Sequence, residues 1–324
     1  MRLILFGDGL WAARSLDILR AVGHICCGVV LRPVPSDDSL ATASRGAGIE
    51  PLCPRSINSR DALEKVAATA PDLGISIAYN QIFGPAMIQI PPLGIVNFHA
   101  GRLPLYRGRN VVNWAIINGE REIGLTAHYV DEGIDTGDIL RQESLPIEWN
   151  DTYPDVLGRV VSRLPEFVAA VVSDVAMGTA ARVPQPAGAG TYFTGRCNGD
   201  EWLDWNDTSL HLYNKIRAIT RPAPGARTLL NGCNVRIWRA RYDPAWPRYL
   251  AVPGAVVGRL PDGVLVKTGD SVLMVEEAEP AGQGISTPKW PIGTRLGMEL
   301  LCEMDRLAER VRALEELLKH QRGN

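Results

Sequence analysis

The beginning of the chain has the pattern of a strand, a helix and a second strand. Residues 3–6 form a short apolar run, which is typical of a strand buried on both faces. Residues 7–9 predict a tight turn, and residues 10–22 carry apolar side chains at the spacing of a helix. Residues 25–31 form a second apolar run. This order predicts a parallel sheet with a right-handed crossover, and therefore an α/β domain.

The turn after the first strand resembles a dinucleotide-binding pattern. Gly7, Gly9 and Ala12 give G-x-G-x-x-A. A dinucleotide site also needs an acidic residue at the end of the second strand, where it binds the ribose. Arg32 stands at that position. We therefore interpret the glycines as a turn that packs the first helix closely on the sheet.

Further strands predict where a ligand would bind. Residues 73–79 and 95–99 are apolar runs, and residues 80–84, which follow the first of them, are polar and aromatic. Open α/β sheets bind ligands at the carboxyl ends of their strands, so we expect a ligand to bind where these two strands end.

Residues 33–60 are rich in Pro, Ser and Asp and predict a loop-rich connection.

The length of 324 residues predicts about two domains. Residues 178–190 are rich in Ala, Gly and Pro, which is typical of a linker. About five short strands separated by turns follow, and they suggest a small β-barrel. We predict a Rossmann-like parallel-sheet domain over residues 1–177, a linker over 178–190, a smaller OB-like barrel over 191–294 and a C-terminal helix over 295–324.

The predicted C-terminal helix carries a heptad pattern. Its apolar residues step by four and three, and they are Leu300, Met304, Leu307, Val311, Leu314 and Leu318. Such a seam indicates either a dimeric coiled coil or a terminal helix that packs on its own domain. The pattern does not choose between the two, so a homodimer through this helix is one expectation.

Charge and cysteine usage narrow the class of partner. The net charge is −2, and residues 191–294 hold 12 Lys and Arg against 10 Asp and Glu, so a nucleic-acid partner is not favoured. The six cysteines form no C-x-x-C and have no metal-site spacing, so we predict reduced thiols and no metal. No apolar run reaches the ~18 residues of a membrane helix, and the N-terminus is unlike a signal peptide. We expect a cytoplasmic protein with a small-molecule partner.

Residues 94–138 hold three side chains that suit acyl transfer by an enzyme that supplies no nucleophile. Asn97 can donate an N–H to a developing oxyanion, and His99 can move a proton near neutral pH. Asp135 can orient that imidazole or accept a proton itself. Asn97 and His99 are two residues apart, so on a strand their side chains point to the same face.

The same stretch resembles the formyltransferases that use N10-formyltetrahydrofolate. The shared motifs are Asn97-Phe98-His99, Leu103-Pro104, Arg107-Gly108 and Asp135-Thr136-Gly137. The resemblance continues past the predicted linker and covers about residues 1–285. One departure is visible, because many members have a Ser two residues after the His, where this chain has Gly101 followed by Arg102.

The resemblance implies a folate-dependent formyltransferase with N10-formyltetrahydrofolate as co-substrate and Asn97, His99 and Asp135 as the catalytic residues. Asn97 and a protonated His99 would stabilise the oxyanion while Asp135 accepts the proton of the amine. The other division of roles, with His99 as the base, is equally compatible with the sequence. The residues implied in folate binding are Ile77, Tyr79, Phe83, Leu103, Val130, Asp131 and Asp135.

The acceptor is implied less directly. The run Tyr106-Arg107-Gly108-Arg109 resembles the enzymes that formylate nucleotide-linked amino sugars, which is the acceptor we favour. Methionyl-tRNA and hydroxyornithine, a siderophore precursor, are the alternatives. The residues implied in acceptor binding are Arg102, Tyr106, Arg107 and Arg109.

Overall fold

A computed structural model describes residues 1–186, 188–297, 304 and 307–315 of the chain. These residues form two compact units, Met1–Arg196 and a second that begins at Cys197. Every helix within the described ranges is too short or too polar to cross a bilayer.

The first unit is built on a six-stranded mixed sheet. Its first half contains β1 (Arg2–Gly7), α1 (Gly9–Ala21), β2 (Ile25–Leu31), α2 (Ser39–Gly46), α3 (Arg60–Ala68), β3 (Leu73–Ile77), α4 (Pro85–Ile88) and β4 (Ile95–His99). Its second half contains β5 (Arg107–Gly108), α5 (Val111–Ile117), β6 (Glu122–Tyr129), β7 (Ile139–Pro146), α6 (Tyr153–Met177) and β8 (Tyr192–Phe193). The strand order is β2-β1-β3-β4-β6-β7, in which the first four strands are parallel and β6 and β7 run antiparallel. The predicted parallel-sheet domain is confirmed.

The central strands are buried because their residues are apolar almost throughout. The side chains of β3 are all buried, and Ile4 and Phe6 of β1 lie in one cluster with Val30, Phe83 and Ile95. α6 begins with a capping box formed by Thr152 and Asp155, and it buries an apolar stripe along one face. The apolar core fixes the sheet, and the sheet fixes the carboxyl ends of β3 and β4.

Two segments differ from the sequence prediction. The region 33–60, predicted as a loop, contains α2, which is held by buried Leu40 and Ser44, four residues apart on one helical face. Residues 178–196, which include the predicted linker, belong to the first unit. Val183 pairs with Ile139, and β8 pairs with β5, so hydrogen bonds attach this Ala- and Gly-rich segment to the beginning of β7 and to β5.

The second unit contains a separate antiparallel sheet. α7 (Ser209–Ala218) precedes β9 (Ala226–Leu230), β10 (Cys233–Arg241), β11 (Val256–Leu260), β12 (Gly263–Lys267) and β13 (Val272–Pro280). The strand order is β11-β12-β13-β10-β9. Five strands were predicted here and five are present, while an OB-like closure of the sheet stays a prediction.

The predicted C-terminal helix is wrong at its beginning. Arg295 and Leu296 are extended and pair with Ala255 and Leu230, so they belong to the sheet domain. Residue 304 and residues 307–315 are helical. Leu300 and Leu318 of the heptad pattern lie outside the described residues.

Candidate active site

Two neighbouring strands bring an amide and two imidazoles to one point. Asn97 and His99 lie on β4 with their side chains on the same face, as the sequence predicted. β6 runs antiparallel to β4 and places His128 directly opposite Asn97. The Asn97 Nδ2 lies 3.1 Å from the Nε2 of His128, whose Nδ1 donates to the Tyr129 carbonyl at 2.8 Å. Because the Asn97 Nδ2 can only donate, the His128 Nε2 is the acceptor in this hydrogen bond.

Asp135 completes the cluster from the loop between β6 and β7. Its carboxylate accepts the backbone N–H of Gly108 at 2.8 Å. It also lies 3.7 Å from the His99 Nδ1, 3.3 Å from the His128 Nε2 and 3.4 Å from the Asn97 Nδ2. Its backbone is left-handed, with φ of 53°, which is uncommon for a residue with a side chain. The three predicted catalytic residues are therefore close together.

The protonation states of His99 and Asp135 follow from burial and charge. Burial lowers the pKa of His99 below its ordinary value, although Asp135 and the Tyr106 carbonyl act in the opposite direction. Burial alone would raise the pKa of Asp135, but the imidazoles of His99 and His128 and the Gly108 N–H outweigh it and hold that pKa well below the ordinary value. At neutral pH the site therefore holds a carboxylate and a neutral imidazole.

The segment from Tyr106 to Arg109 supports both members of the pair. The His99 Nε2 donates to the Tyr106 carbonyl at 2.7 Å, and this contact directs Nδ1 toward Asp135. Gly108 has a φ of 98°, and a Cβ there would overlap the Phe193 carbonyl oxygen, so this position requires glycine. One short segment therefore orients the imidazole and binds the carboxylate.

These side chains open into a cavity of about 560 Å³ at the carboxyl ends of β3 and β4. Ligand pockets of proteins fall in this size range. Tyr79 and Phe83 stack with their ring centroids 5.4 Å apart and form an aromatic wall. The Tyr79 hydroxyl is buried and has no hydrogen-bond partner among the described residues. Ile134, half exposed, lies beside Asp135 on the cavity wall.

Most residues predicted to bind the donor line this cavity. Five of the seven do so, namely Tyr79, Phe83, Val130, Asp131 and Asp135. Ile77 and Leu103 are buried in the protein and are not among the lining residues. Ile77 belongs to the central strand β3, whose side chains face packed neighbours on both sides of the sheet.

Only one of the four residues predicted to bind the acceptor lines the cavity, and it is Arg109. Arg102 forms an exposed ion pair with Glu122. The Tyr106 ring stacks on Phe193 with centroids 4.9 Å apart, and its hydroxyl donates to Glu120 at 2.6 Å.

The fourth of these residues, Arg107, is buried outside the cavity lining. Its guanidinium donates to the Gln185 side chain and to the Tyr192 hydroxyl. Tyr192 and Gln185 lie some 80 positions away in the sequence, so these contacts form only in the folded chain.

Two residues at the site lie outside the predicted set. His128 is one of them, because its place beside Asn97 depends on the register between β4 and β6. Gln185 lay in the predicted linker, where nothing in the pattern marked it. Among the described residues, no group of three or more His, Cys, Asp and Glu side chains could hold a metal ion.

The arrangement can catalyse direct acyl transfer to an amine. A neutral imidazole beside a carboxylate accepts a proton, and a nearby amide N–H stabilises an oxygen that gains negative charge. The ring nitrogens of His99 and His128 contact Asn97, Asp135 and backbone carbonyls. The two imidazoles therefore contact the Asp135 carboxylate and the Asn97 amide, which are the groups that direct transfer requires.

Comparison with known protein families agrees with this chemistry. The family profile described as formyl transferase matches residues 29–172, and the formyl transferase C-terminal domain matches residues 198–291. The methionyl-tRNA formyltransferase of Ruminiclostridium cellulolyticum is 31% identical over 287 residues, which cover 86% of this chain and 92% of the relative. That of Pelotomaculum thermopropionicum is 32% identical over 290 residues, with 87% and 92% covered.

Solved structures share the fold at lower identity. The sugar 3N-formyltransferase WlaRD, crystallised in the presence of dTDP and 5-N-formyl-THF, superposes with a TM-score of 0.66 at 19% identity and covers 88% of this chain and 99% of that one. The N-formyltransferase of Helicobacter canadensis, in complex with folinic acid and dTDP-3-aminofucose, has a TM-score of 0.64 at 19% identity, with 85% and 98% covered. Two matching profiles that span most of the sequence, together with relatives above 30% identity over nearly their whole length, show that this chain belongs to the formyltransferase family.

Proposed function

We propose that this formyltransferase moves a formyl group from N10-formyltetrahydrofolate directly to the amine of a nucleotide-linked amino sugar. The observation that carries the proposal is the convergence of Asn97, His99 and Asp135 on one cavity. The amine attacks the formyl carbon, the bond from that carbon to the folate N10 breaks, and the proton that the amine gives up ends on N10, so tetrahydrofolate leaves. Positioning of the two substrates supplies much of the rate.

The cavity suits a folate donor. A pterin is a flat heteroaromatic ring with polar edges, and the stacked Tyr79 and Phe83 offer an aromatic wall for it. The unpartnered Tyr79 hydroxyl is a buried polar group that a ligand edge would satisfy. Val130 and Asp131 also line the cavity. When bound, the donor supplies an activated formyl carbon.

The proton of the attacking amine is taken up by the His99–Asp135 pair. His99 starts neutral because burial lowers its pKa, and Asp135 starts ionised. The imidazole accepts the proton at Nδ1, since Nε2 already donates to the Tyr106 carbonyl. The carboxylate 3.7 Å away stabilises the imidazolium that results.

Asn97 stabilises the oxygen on which negative charge develops. One of its N–H groups donates to His128, and the other makes only a 3.4 Å contact with Asp135. This second N–H is weakly bound and is available to donate to the formyl oxygen. His128 acts by holding the amide in place.

Charge favours a small anionic acceptor over a nucleic acid. The net charge of the chain is −2, and nucleic-acid binding proteins carry a basic surface. Arg109 lines the cavity and is exposed, so it can bind a diphosphate. Arg32, the other lining arginine, forms an ion pair with buried Asp8. The dTDP of one structural neighbour and the dTDP-3-aminofucose of the other support the same class of acceptor.

Initiator methionyl-tRNA is the second candidate acceptor. The observation that favours it is the identity of about 31% to methionyl-tRNA formyltransferases over most of both chains. A tRNA substrate predicts rates that fall steeply with salt, because the contacts would be mainly with phosphates.

An acceptor panel decides between these candidates. The protein is incubated with N10-formyltetrahydrofolate and, separately, with nucleotide-linked amino sugars, hydroxyornithine and methionyl-tRNA, and the formylated product is measured by mass spectrometry. We expect product with an amino-sugar nucleotide. Formylation of the tRNA alone would refute the acceptor we propose.

A variant pair tests how the acceptor is recognised. Arg109→Ala should raise the KM for the acceptor about tenfold and leave the KM for the donor unchanged, since a charged hydrogen bond contributes about 1.5–3 kcal/mol. Arg60→Ala, which removes a surface arginine paired with Glu64, is the matched control. An acceptor KM that is equal in the two variants would remove Arg109 from the acceptor site.

We also propose that the C-terminal helix forms a parallel dimer. Leu307, Val311 and Leu314 are exposed on the helix over residues 307–315, with Val and Leu at alternating seam positions. Arg310 and Glu315 flank the seam with opposite charges. Light scattering should give a dimer for the full chain and a monomer for a chain ending at Gly297, and a truncated dimer would refute the helix as interface.

We propose in addition that the protein is cytoplasmic. The free thiols fit a reducing compartment, and they are Cys26, Cys27, Cys53, Cys197 and Cys233.

A further inference from the structure

Asp135 needs support from the rest of the protein, because its backbone conformation is strained. Its φ of 53° is a conformation that residues with side chains hold only when their surroundings impose it. The Gln185 side-chain amide supplies that support. Its Nε2 donates to the Asp135 carbonyl at 2.9 Å and to the Gly137 carbonyl at 2.8 Å. One side chain thus binds the backbone on both sides of the turn.

The other end of the same amide binds the segment that contacts the carboxylate. The Gln185 Oε1 accepts from the Arg107 Nε at 3.2 Å and from its Nη2 at 2.6 Å. Arg107 is followed by Gly108, whose N–H donates to the Asp135 carboxylate at 2.8 Å. The contacts therefore close a ring that runs from the Asp135 carboxylate through Gly108, Arg107 and Gln185 to the Asp135 carbonyl.

Burial of Arg107 restricts its guanidinium to the hydrogen-bond partners in this ring. Its side chain is almost fully buried, so its guanidinium must find acceptors inside the protein. A Cβ at Gly190 would overlap this guanidinium, so the backbone of residue 190 confines it from one side. Tyr192 accepts from its Nη1 at 3.2 Å. The guanidinium cannot move to another partner without leaving its charge unsatisfied.

We propose that Gln185 is a positioning residue, which fixes the Asp135 carboxylate against the His99 imidazole by joining the loop that carries Asp135 to the segment that binds it. This inference rests on the proposed catalytic roles of Asp135 and His99. It assigns a function to a residue in the Ala- and Gly-rich segment after α6, more than 45 positions from the catalytic loop.

The consequence is measurable at His99 without any substrate. The titratable groups that act on His99 are Asp135, whose charge raises its pKa, and His128, whose charge lowers it. If the Asp135 carboxylate moves away, the imidazolium loses its stabilising neighbour. The pKa of His99 must then fall further, in the direction that Asp135→Asn also produces.

The test compares two Gln→Leu variants. Gln185→Leu keeps the size of the side chain and removes all four contacts. Gln142→Leu is the matched control, because the Gln142 amide also donates to a backbone carbonyl and to a second oxygen, those of Leu103 and Thr126. Histidine NMR titration of the wild type, Asp135→Asn and both Leu variants gives the pKa of His99 in each, and thermal unfolding gives the stability.

We expect the pKa of His99 to fall in Gln185→Leu by part of its fall in Asp135→Asn, which is about one unit or more for a lost opposite charge. It should stay at the wild-type value in Gln142→Leu, even if both Leu variants lose similar stability. An unchanged His99 pKa in a folded Gln185→Leu protein would overturn the proposal. Because this readout needs no turnover, it stands even if no acceptor is formylated, which would instead refute the proposed function.

Kinetics supplies the second readout. Gln185→Leu should lower kcat about tenfold to a hundredfold with little change in either KM. An effect of this size is expected when a catalytic group, here the Asp135 carboxylate, is displaced by up to about 1 Å. Arg107→Met should lower kcat through the same ring, so the double variant should lose less than the product of the two single losses. Fully multiplicative losses, or a change confined to KM, would refute a shared positioning role.

Discussion

Replacing Asp135 by Asn tests the charge on which the proposed proton transfer depends. The substitution keeps the shape of the side chain, and the Asn carbonyl oxygen still accepts the Gly108 N–H. What is lost is the negative charge 3.7 Å from the His99 Nδ1. The imidazolium formed during transfer then has no counter-charge.

The size of the effect follows from that distance. Two unit charges 3.7 Å apart attract by about 4.5 kcal/mol at an effective dielectric constant of about 20. A loss of that size corresponds to about a 10³-fold fall in kcat, at 1.36 kcal/mol for each factor of ten. Little of it should appear in KM, because the charge pair forms only as the proton moves.

The assay is steady-state release of tetrahydrofolate with the acceptor that the panel identifies. Asp61→Asn, which removes an exposed carboxylate paired with Lys65, is the control for loss of one surface charge and should match the wild type. If Asp135→Asn keeps more than about a tenth of the wild-type kcat, the electrostatic argument is refuted, because an effect below about 1.4 kcal/mol cannot include this charge pair.

Three further predictions follow from the same cluster. The rate should be lost on the acid side with a midpoint below 6.5, since burial lowers the pKa of His99 and the neutral imidazole is the active form; a rate that falls as the pH rises past that midpoint would mean that the imidazolium is the active form. His128→Ala should lower kcat about tenfold, because Asn97 loses the acceptor that holds its amide, and an unchanged kcat would contradict this role. The folded-state pKa of Asp135 is depressed, so its contribution to stability is present above its unfolded pKa of 3.8 and is lost as the pH falls through the lower folded value. Thermal unfolding of wild type and Asp135→Asn should therefore differ at pH 7, and the difference should shrink progressively as the pH falls below 3.8; a difference that stays constant there would refute the linkage.

The parts of the fold that the sequence predicted are those with a strong local pattern. The apolar runs at residues 3–6 and 95–99 lie in buried strands, the run at residues 73–79 forms one over Leu73–Ile77, and the helix between the first two strands is present. α2 was missed because only two of its side chains, Leu40 and Ser44, are buried, which leaves a weak periodic signal. β7 was missed for a related reason, since most of its side chains are exposed or half-buried at the edge of the sheet.

At the site, the strand period alone placed Asn97 and His99 on one face, and motif spacing added Asp135. His128 required the register of β6 against β4, which no local pattern encodes. Arg107 is predicted at the acceptor from the resemblance of residues 106–109 to enzymes that formylate nucleotide-linked amino sugars, whereas the structure buries it. It is buried since Gln185 and Tyr192 supply acceptors from distant parts of the sequence, and such pairings arise only on folding.

Isotope-labelled turnover distinguishes direct transfer of the formyl group at Asn97, His99 and Asp135 from transfer through a formylated protein. Wild-type protein is mixed with donor carrying a ¹³C-labelled formyl group and with an amino-sugar nucleotide, and both the product and the intact protein are weighed by mass spectrometry during turnover. Direct transfer predicts labelled N-formyl product from the wild type, very little from His99→Ala, and a protein mass that never gains a formyl group. A protein that becomes formylated and then passes the label to the acceptor would contradict it.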